Sequence, residues 1–99
     1  MSIDTSEKLK LIRESERLNR KEFSEITGVP YSSLSSYETR SKSMGLDAAM
    51  KMLSHPRFKK YTLWFMSGQT APEAGQIAPA LAHYGQDGIT SGQSGQKIG

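Results

Sequence analysis

A chain of 99 residues suffices for one domain with a modest core. Cysteine is absent, which excludes a disulfide framework and a thiolate metal site. The basic character is confined to one part: residues 1–70 carry 12 Lys/Arg against 8 Asp/Glu, a net of +4, whereas residues 71–99 carry Lys97 against Glu73 and Asp87, a net of −1. No stretch approaches the roughly 18 apolar residues of a membrane span. The opening "MSIDTSEKLK" lacks the apolar core of a signal peptide, so a cytoplasmic protein is expected.

The first helix is predicted to start at "DTSE", where Asp4, Thr5 or Ser6 can cap it and Glu7 follows Asp4 by three residues. Leu11 and Leu18, seven apart, define its inward face; Ile12 widens that face and Leu9 falls off it. A short second helix is predicted over 20–27, capped by Asn19 with Glu22 at the third position. Phe23 and Ile26 face inward, and Gly28 ends the helix as a residue free to take positive φ. A third helix follows in "PYSSLSSYETR". The fourth is predicted over 46–54, with Leu46, Ala49, Met50 and Leu53 at i, i+3, i+4 and i+7. His55-Pro56 breaks it, and a fifth covers 57–66 before Ser67-Gly68. No alternating strand pattern is visible. The expected fold class is all-α, five short helices in a domain over 4–68. Residues 69–84 read as a linker with a short helix over 78–84, and the Gly/Ser/Gln-rich 85–99 as a disordered, flexible C-terminal tail.

On a wheel of about 100° per residue, Pro30, Tyr37 and Glu38 fall within about 60° of Leu34. Ser32, Ser36 and Thr39 lie on the opposite side, Ser33 and Ser35 on the flanks, and Tyr31 at the border. The third helix thus presents small hydroxyl side chains outward from an anchor of Leu34 and Tyr37. Two short helices joined by a glycine turn, the second with a small polar face, make a helix-turn-helix, whose second helix enters the major groove. Small hydroxyls permit close approach and can donate to or accept from several base edges.

"RKEFSEITGVPYSSLSSYE" resembles the helix-turn-helix of the lambdoid phage repressor and Cro family of bacterial and prophage regulators. The matching features are Leu18, Phe23, Ile26, Gly28, Leu34 and the Tyr37-Glu38 pair, and the ending "LWFMSG" is similar to the close of many such domains. The resemblance spans about 6–68 and implies a five-helix lambda-repressor-like fold. It also implies a transcriptional regulator binding palindromic operator DNA as a homodimer. By the same carry-over, Arg13 and Glu38 form a structural salt bridge, and Tyr31, Ser32, Ser35 and Ser36 sit at or beside base-facing positions. Arg20, Arg40 and Lys42 sit where phosphate contacts are common. Pro30 departs from the family, which usually has a Ser or Thr cap there. Some of these repressors are cut at an Ala-Gly bond by their own C-terminal protease domain. Here too few residues follow Ala74-Gly75 for that domain, so release by an antirepressor or by competition is expected.

Plainer readings stand beside these. The serines could be a solvated face, Tyr31 a packing residue, and Arg40 and Lys42 a solvated loop. A catalytic serine needs a base within reach, and His55 and His83 both lie outside the motif, so no enzymatic activity, metal or cofactor is expected. The apolar "FKKYTLWFMSG" reads either as core or, with segment 78–84, as a dimer interface. A competing functional class is a helix-turn-helix-derived protein-interaction module, antitoxin-like or an antirepressor partner, that does not bind DNA. An RNA-binding helical domain is a third, disfavoured because the major groove of A-form RNA does not admit a reading helix.

Overall fold

The computed structural model describes residues 3–82. Its α-helices are α1 (Thr5–Ser15), α2 (Arg20–Thr27), α3 (Tyr31–Glu38), α4 (Leu46–Leu53) and α5 (Thr62–Ser67). Two 3-10 turns, Lys59–Tyr61 and Pro72–Ala74, precede and follow α5. Among the described residues there is no strand, only an isolated antiparallel bridge between Ala71 and Gln76. The architecture is therefore the all-α one expected.

Asp4 caps α1, its Oδ1 accepting from Glu7 N–H at 2.9 Å. The inward face of α1 is Leu9 and Ile12, both fully buried, while Leu11 and Leu18 are only partly buried. Ile12 is inward as expected, but Leu9, expected off the face, is enclosed while Leu11 and Leu18 only edge the core; for Leu18 the cause is local. The helix ends at Ser15, and Arg17 turns left-handed at φ 59°. A seven-residue relation holds only within a continuous helix, so Leu18 lies outside it. Asn19 and Glu22 close a reciprocal capping box on α2 at 2.8 and 2.9 Å. Phe23 sits in the core, edge-on to Phe58 with ring centroids 5.1 Å apart. Gly28, at φ 80°, ends the helix with its N–H donating to Ser24 O at 2.8 Å. Hydroxyls then stitch the turn: Thr27 Oγ1 donates to Phe23 O and accepts from Val29 N–H, and Ser24 Oγ donates to Val29 O. Thr27, not Ile26, is the more deeply buried partner of Phe23.

Pro30 opens α3 with no side-chain cap bond, and it is exposed rather than inward. In α4 the buried residues are Ala49, Met52 and Leu53, whereas Leu46 is 62% and Met50 57% exposed. The expected Leu46/Met50 face is thus also corrected. Met50 and Met52 lie about 200° apart on the helix, so only one can face inward, and packing of α4 against the 59–61 turn selects Met52. The predicted helix over 57–66 is resolved into the 3-10 turn and α5, ending at Gly68 with φ 77°. Phe58, Tyr61, Trp64 and Phe65 are core residues; Met66 is exposed.

Residues 71–82, read from composition as part of a linker, run back along the domain. The Gln76 side chain accepts from Leu63 N–H at 2.9 Å and donates to Lys59 O at 3.1 Å. Ile77 N–H donates to Lys60 O and Leu81 N–H to Ser15 Oγ, and Pro79 and Ala82 are buried. The end of the expected short helix, His83 and the 85–99 tail lie outside the described residues.

Candidate nucleic-acid interface

Recognition by a helix requires that one side be fixed and the other left free. In α3 the fixed side is Leu34, at 0% exposure, and Glu38, whose side chain is wholly enclosed. Leu34 meets the apolar cluster shared by Phe23, Val29 and Met52. An enclosed carboxylate needs counter-charge and hydrogen bonds, and two arginines from different helices supply them. Arg13 of α1 donates from Nε to Oε2 at 2.8 Å and from Nη2 to Oε1 at 2.9 Å, and its Nη1 donates to Leu18 O at 2.9 Å. Hydrogen bonding to Glu38 raises the Arg13 pKa further above its already high ordinary value, against the opposing effect of burial. Arg20 of α2 donates from Nε to Glu38 Oε1 at 3.1 Å and from Nη1 to Ser35 Oγ at 3.2 Å. One carboxylate thus joins three helices. Ser6 Oγ adds a further tie from α1, donating to Tyr37 O at 2.6 Å.

On the other side Tyr31 is 52% exposed and Ser32 and Thr39 are exposed, while Ser33, Ser35 and Ser36 are half-buried. The structure brings Tyr31, Ser32, Ser35 and Ser36 onto one helix, with Ser35 turned toward α2 by its bond to Arg20. After Glu38 the chain passes through Thr39 and a left-handed Arg40 at φ 67°, and Ser41 N–H returns to Ser36 O at 2.9 Å. This turn sends Arg40 toward the start of α1. There its Nε donates to Asp4 Oδ2 at 3.0 Å and its Nη2 lies 2.9 Å from the same oxygen. The Asp4 carboxyl is held below its ordinary pKa, first by the Glu7 N–H it accepts from and then by Arg40. Lys42 is exposed on the same loop, beside an open cleft of about 320 Å³ between that loop and α1.

Two contacts were not legible from spacing. Asp4 serves both as helix cap and as partner of Arg40, 36 residues away. Lys51 of α4 lies across the turn, its Nζ donating to Gly28 O at 3.4 Å, and so adds a cation just ahead of α3. A charged residue on a helical wheel gives no sign of which distant loop it will meet, so no local signal could have found either contact.

An α2–turn–α3 unit clamped by a buried acid, with a hydroxylic outer face and arginines at both ends, defines a helix-turn-helix domain of the phage-repressor class. The wider comparison agrees. No family model matches the chain. It is, however, 54% identical over 99 residues to "Repressor protein C" of Escherichia phage P2, a match that spans the whole of both chains. The protein belongs to the phage repressor family that includes this relative.

Proposed function

We propose that the protein is a sequence-specific repressor that binds palindromic operator DNA as a homodimer, through α3. The observation that carries this reading is the two-sidedness of α3. Leu34 and Glu38 lock one side to α1 and α2, while Tyr31 and Ser32 stand outward from the other with the half-buried Ser36 on the same helix, between Arg20 at one flank and Arg40 at the end. In this reading Tyr31, Ser32 and Ser36 face base edges, and Ser35 lies beside them on the flank toward Arg20. Arg20, Arg40 and Lys42 contact phosphates. Lys51, at the turn, adds to the same field. Full-length similarity to a phage repressor supports the assignment.

A single helix-turn-helix reads a short half-site, so a dimer is needed to double it at a spacing of about one helical turn. The candidate interface combines 57–66 with 78–84, where Met66 and Leu81, and Ile77 just ahead of the second segment, leave apolar surface exposed. The domain divides functionally into a DNA-binding body over 4–68 and an appendage whose 71–82 portion packs on that body. Release from the operator proceeds through a competing protein such as an antirepressor. The protein acts without catalysis and without a cofactor in the cell's cytoplasm, on nucleoid or phage DNA. Among the described residues no helix is long and apolar enough to cross a membrane.

Selection of bound duplexes from a random pool at stated salt tests this directly. A palindromic consensus with two half-sites is expected. Absence of enrichment, together with no salt-dependent affinity for any duplex, would overturn the reading in favour of a helix-turn-helix used for protein interaction.

A further inference from the structure

Ser35 shares α3 with the outward serines, yet its hydroxyl oxygen is engaged inside the protein. Arg20 Nη1 donates to it at 3.2 Å while Arg20 Nε donates to Glu38 Oε1 at 3.1 Å. The Glu38 oxygens also take two bonds from Arg13. The two arginines differ in what remains to them. Arg13 donates from all three guanidinium nitrogens to Glu38 and Leu18 O, and its side chain is 11% exposed. Arg20 is 31% exposed and has Nη2 without a hydrogen-bond partner among the described residues. Arg13 also has the exposed Glu14 carboxylate 3.8 Å from its Nη2, whereas Arg20 has only Glu38 as an acid partner among the described residues, and Arg20 is the exposed end of this network.

We propose that Ser35 is a positioning residue for Arg20 rather than a base reader: the Glu38–Arg20–Ser35 bridge aims the outer edge of the guanidinium at a DNA phosphate beside α3. The proposal rests on the operator-binding reading above. A free arginine samples many rotamers and loses that freedom when it binds. Holding two of its nitrogens on α3 removes the loss beforehand and fixes the plane of the fork, which matters for a group that binds phosphate through directed N–H bonds. It also ties the phosphate contact to the reading helix itself, since both anchors, Ser35 and Glu38, lie on α3. Small shifts of α3 in the groove would then carry the phosphate contact with them. Ser36, one residue on and about 100° further around the helix, stays with the base-facing set.

The test is a double-mutant cycle on the selected operator duplex, titrated by fluorescence anisotropy at several salt concentrations, with urea unfolding of each variant. Ser35→Ala is expected to weaken binding about three- to tenfold and to select the same operator sequence as wild type. Arg20→Gln should weaken it further and reduce the salt slope by about one, and the double variant should bind no worse than Arg20→Gln. Arg20→Lys keeps the charge but cannot bridge two acceptors from a rigid fork. It should therefore lose affinity as Ser35→Ala does while retaining the salt slope, a pattern a merely structural role would not produce. A changed base preference at one operator position in Ser35→Ala, or losses that multiply in the double variant, would overturn the proposal and return Ser35 to the base readers. Absence of salt-dependent binding by the wild type is a different result, and sinks the operator reading beneath it.

Discussion

The α2–turn–α3 unit and the chain from α4 to residue 82 pack into one core by different means. In the first, local chemistry specifies almost every feature. Asn19 and Glu22 cap α2, Gly28 ends it, hydroxyls from Ser24 and Thr27 hold the turn, and Leu34 recurs at the spacing that seats α3. In the second, α4 is apolar around much of its girth, 59–61 tightens into a 3-10 turn, and a Pro/Gly/Ala-rich stretch is fastened by the Gln76 side chain, the Ile77 and Leu81 N–H groups and the burial of Pro79 and Ala82. The contrast teaches that the limits and faces of a candidate reading helix can be set largely by local chemistry while the elements that support it are chosen by their neighbours.

The strongest way to break the first region is to remove its central charge. Glu38→Gln leaves Arg13 and Arg20 facing a neutral amide in a site that water scarcely reaches, and breaking a buried pair costs about 3–5 kcal/mol. Urea unfolding should show that loss, and a change below about 1 kcal/mol would mean that the arginines simply turn to solvent. The second region can be probed by its two methionines. Met52→Ala, at a fully buried site, should cost about 2–5 kcal/mol. Met50→Ala, at an exposed one, should stay within about 0.5 kcal/mol. Equal effects from the two variants would reverse the orientation assigned to α4.

A smaller loss is expected from Gln76→Ala, which leaves Leu63 N–H without its partner and takes one donor from Lys59 O, which keeps that of Thr62 Oγ1, and should cost about 1–2 kcal/mol. Hydrogen exchange should accelerate at Leu63 while the α2 amides stay protected; uniform acceleration would show that the fastening is not local.

The smallest effect concerns pH. Burial by itself pushes the Glu16 carboxyl up, but hydrogen bonds from Tyr61, Arg57 and Lys60 outweigh it and hold the group below its ordinary pKa. A carboxyl depressed in the folded state contributes stability above its unfolded pKa and loses it as pH falls through the folded value. Burial, then the bond to Glu16, raises the Tyr61 phenol, so it stays protonated throughout the neutral range. Thermal melts of Glu16→Gln should therefore show a shallower decline than wild type below about pH 4. Parallel acid limbs for the two proteins would place the acid sensitivity elsewhere.

The candidate site was legible in its sequence to an unequal degree. The outward placement of Ser32 follows from α3 periodicity, whereas the Arg13–Glu38 pair and the outward Tyr31, which periodicity left at the border, follow from the family resemblance. The second guanidinium on Glu38 did not, because a solvent-facing phosphate role and a bond to a buried acid require the same residue type at position 20. Asp4 with Arg40 and Lys51 with Gly28 were hidden for a related reason: each contact joins residues more than twenty positions apart, and sequence order carries no distance between them.

By itself the sequence determined the helical class, a cap for α1 among Asp4, Thr5 and Ser6, the cap at Asn19, the stop at Gly28 and the division of α3 into a packed and a hydroxylic side. These depend on backbone geometry and side-chain period, which act within a few residues. Only the tertiary structure decided that Leu9 joins Ile12 inside the core while Leu11 and Leu18 pack at its edge, and that Met52 enters it while Met50 does not. It also decided that residues 71–82 close over the 59–64 segment. In each case the local chain offers two nearly equivalent apolar arrangements, and the difference in free energy lies in the partner surface that only the assembled fold supplies.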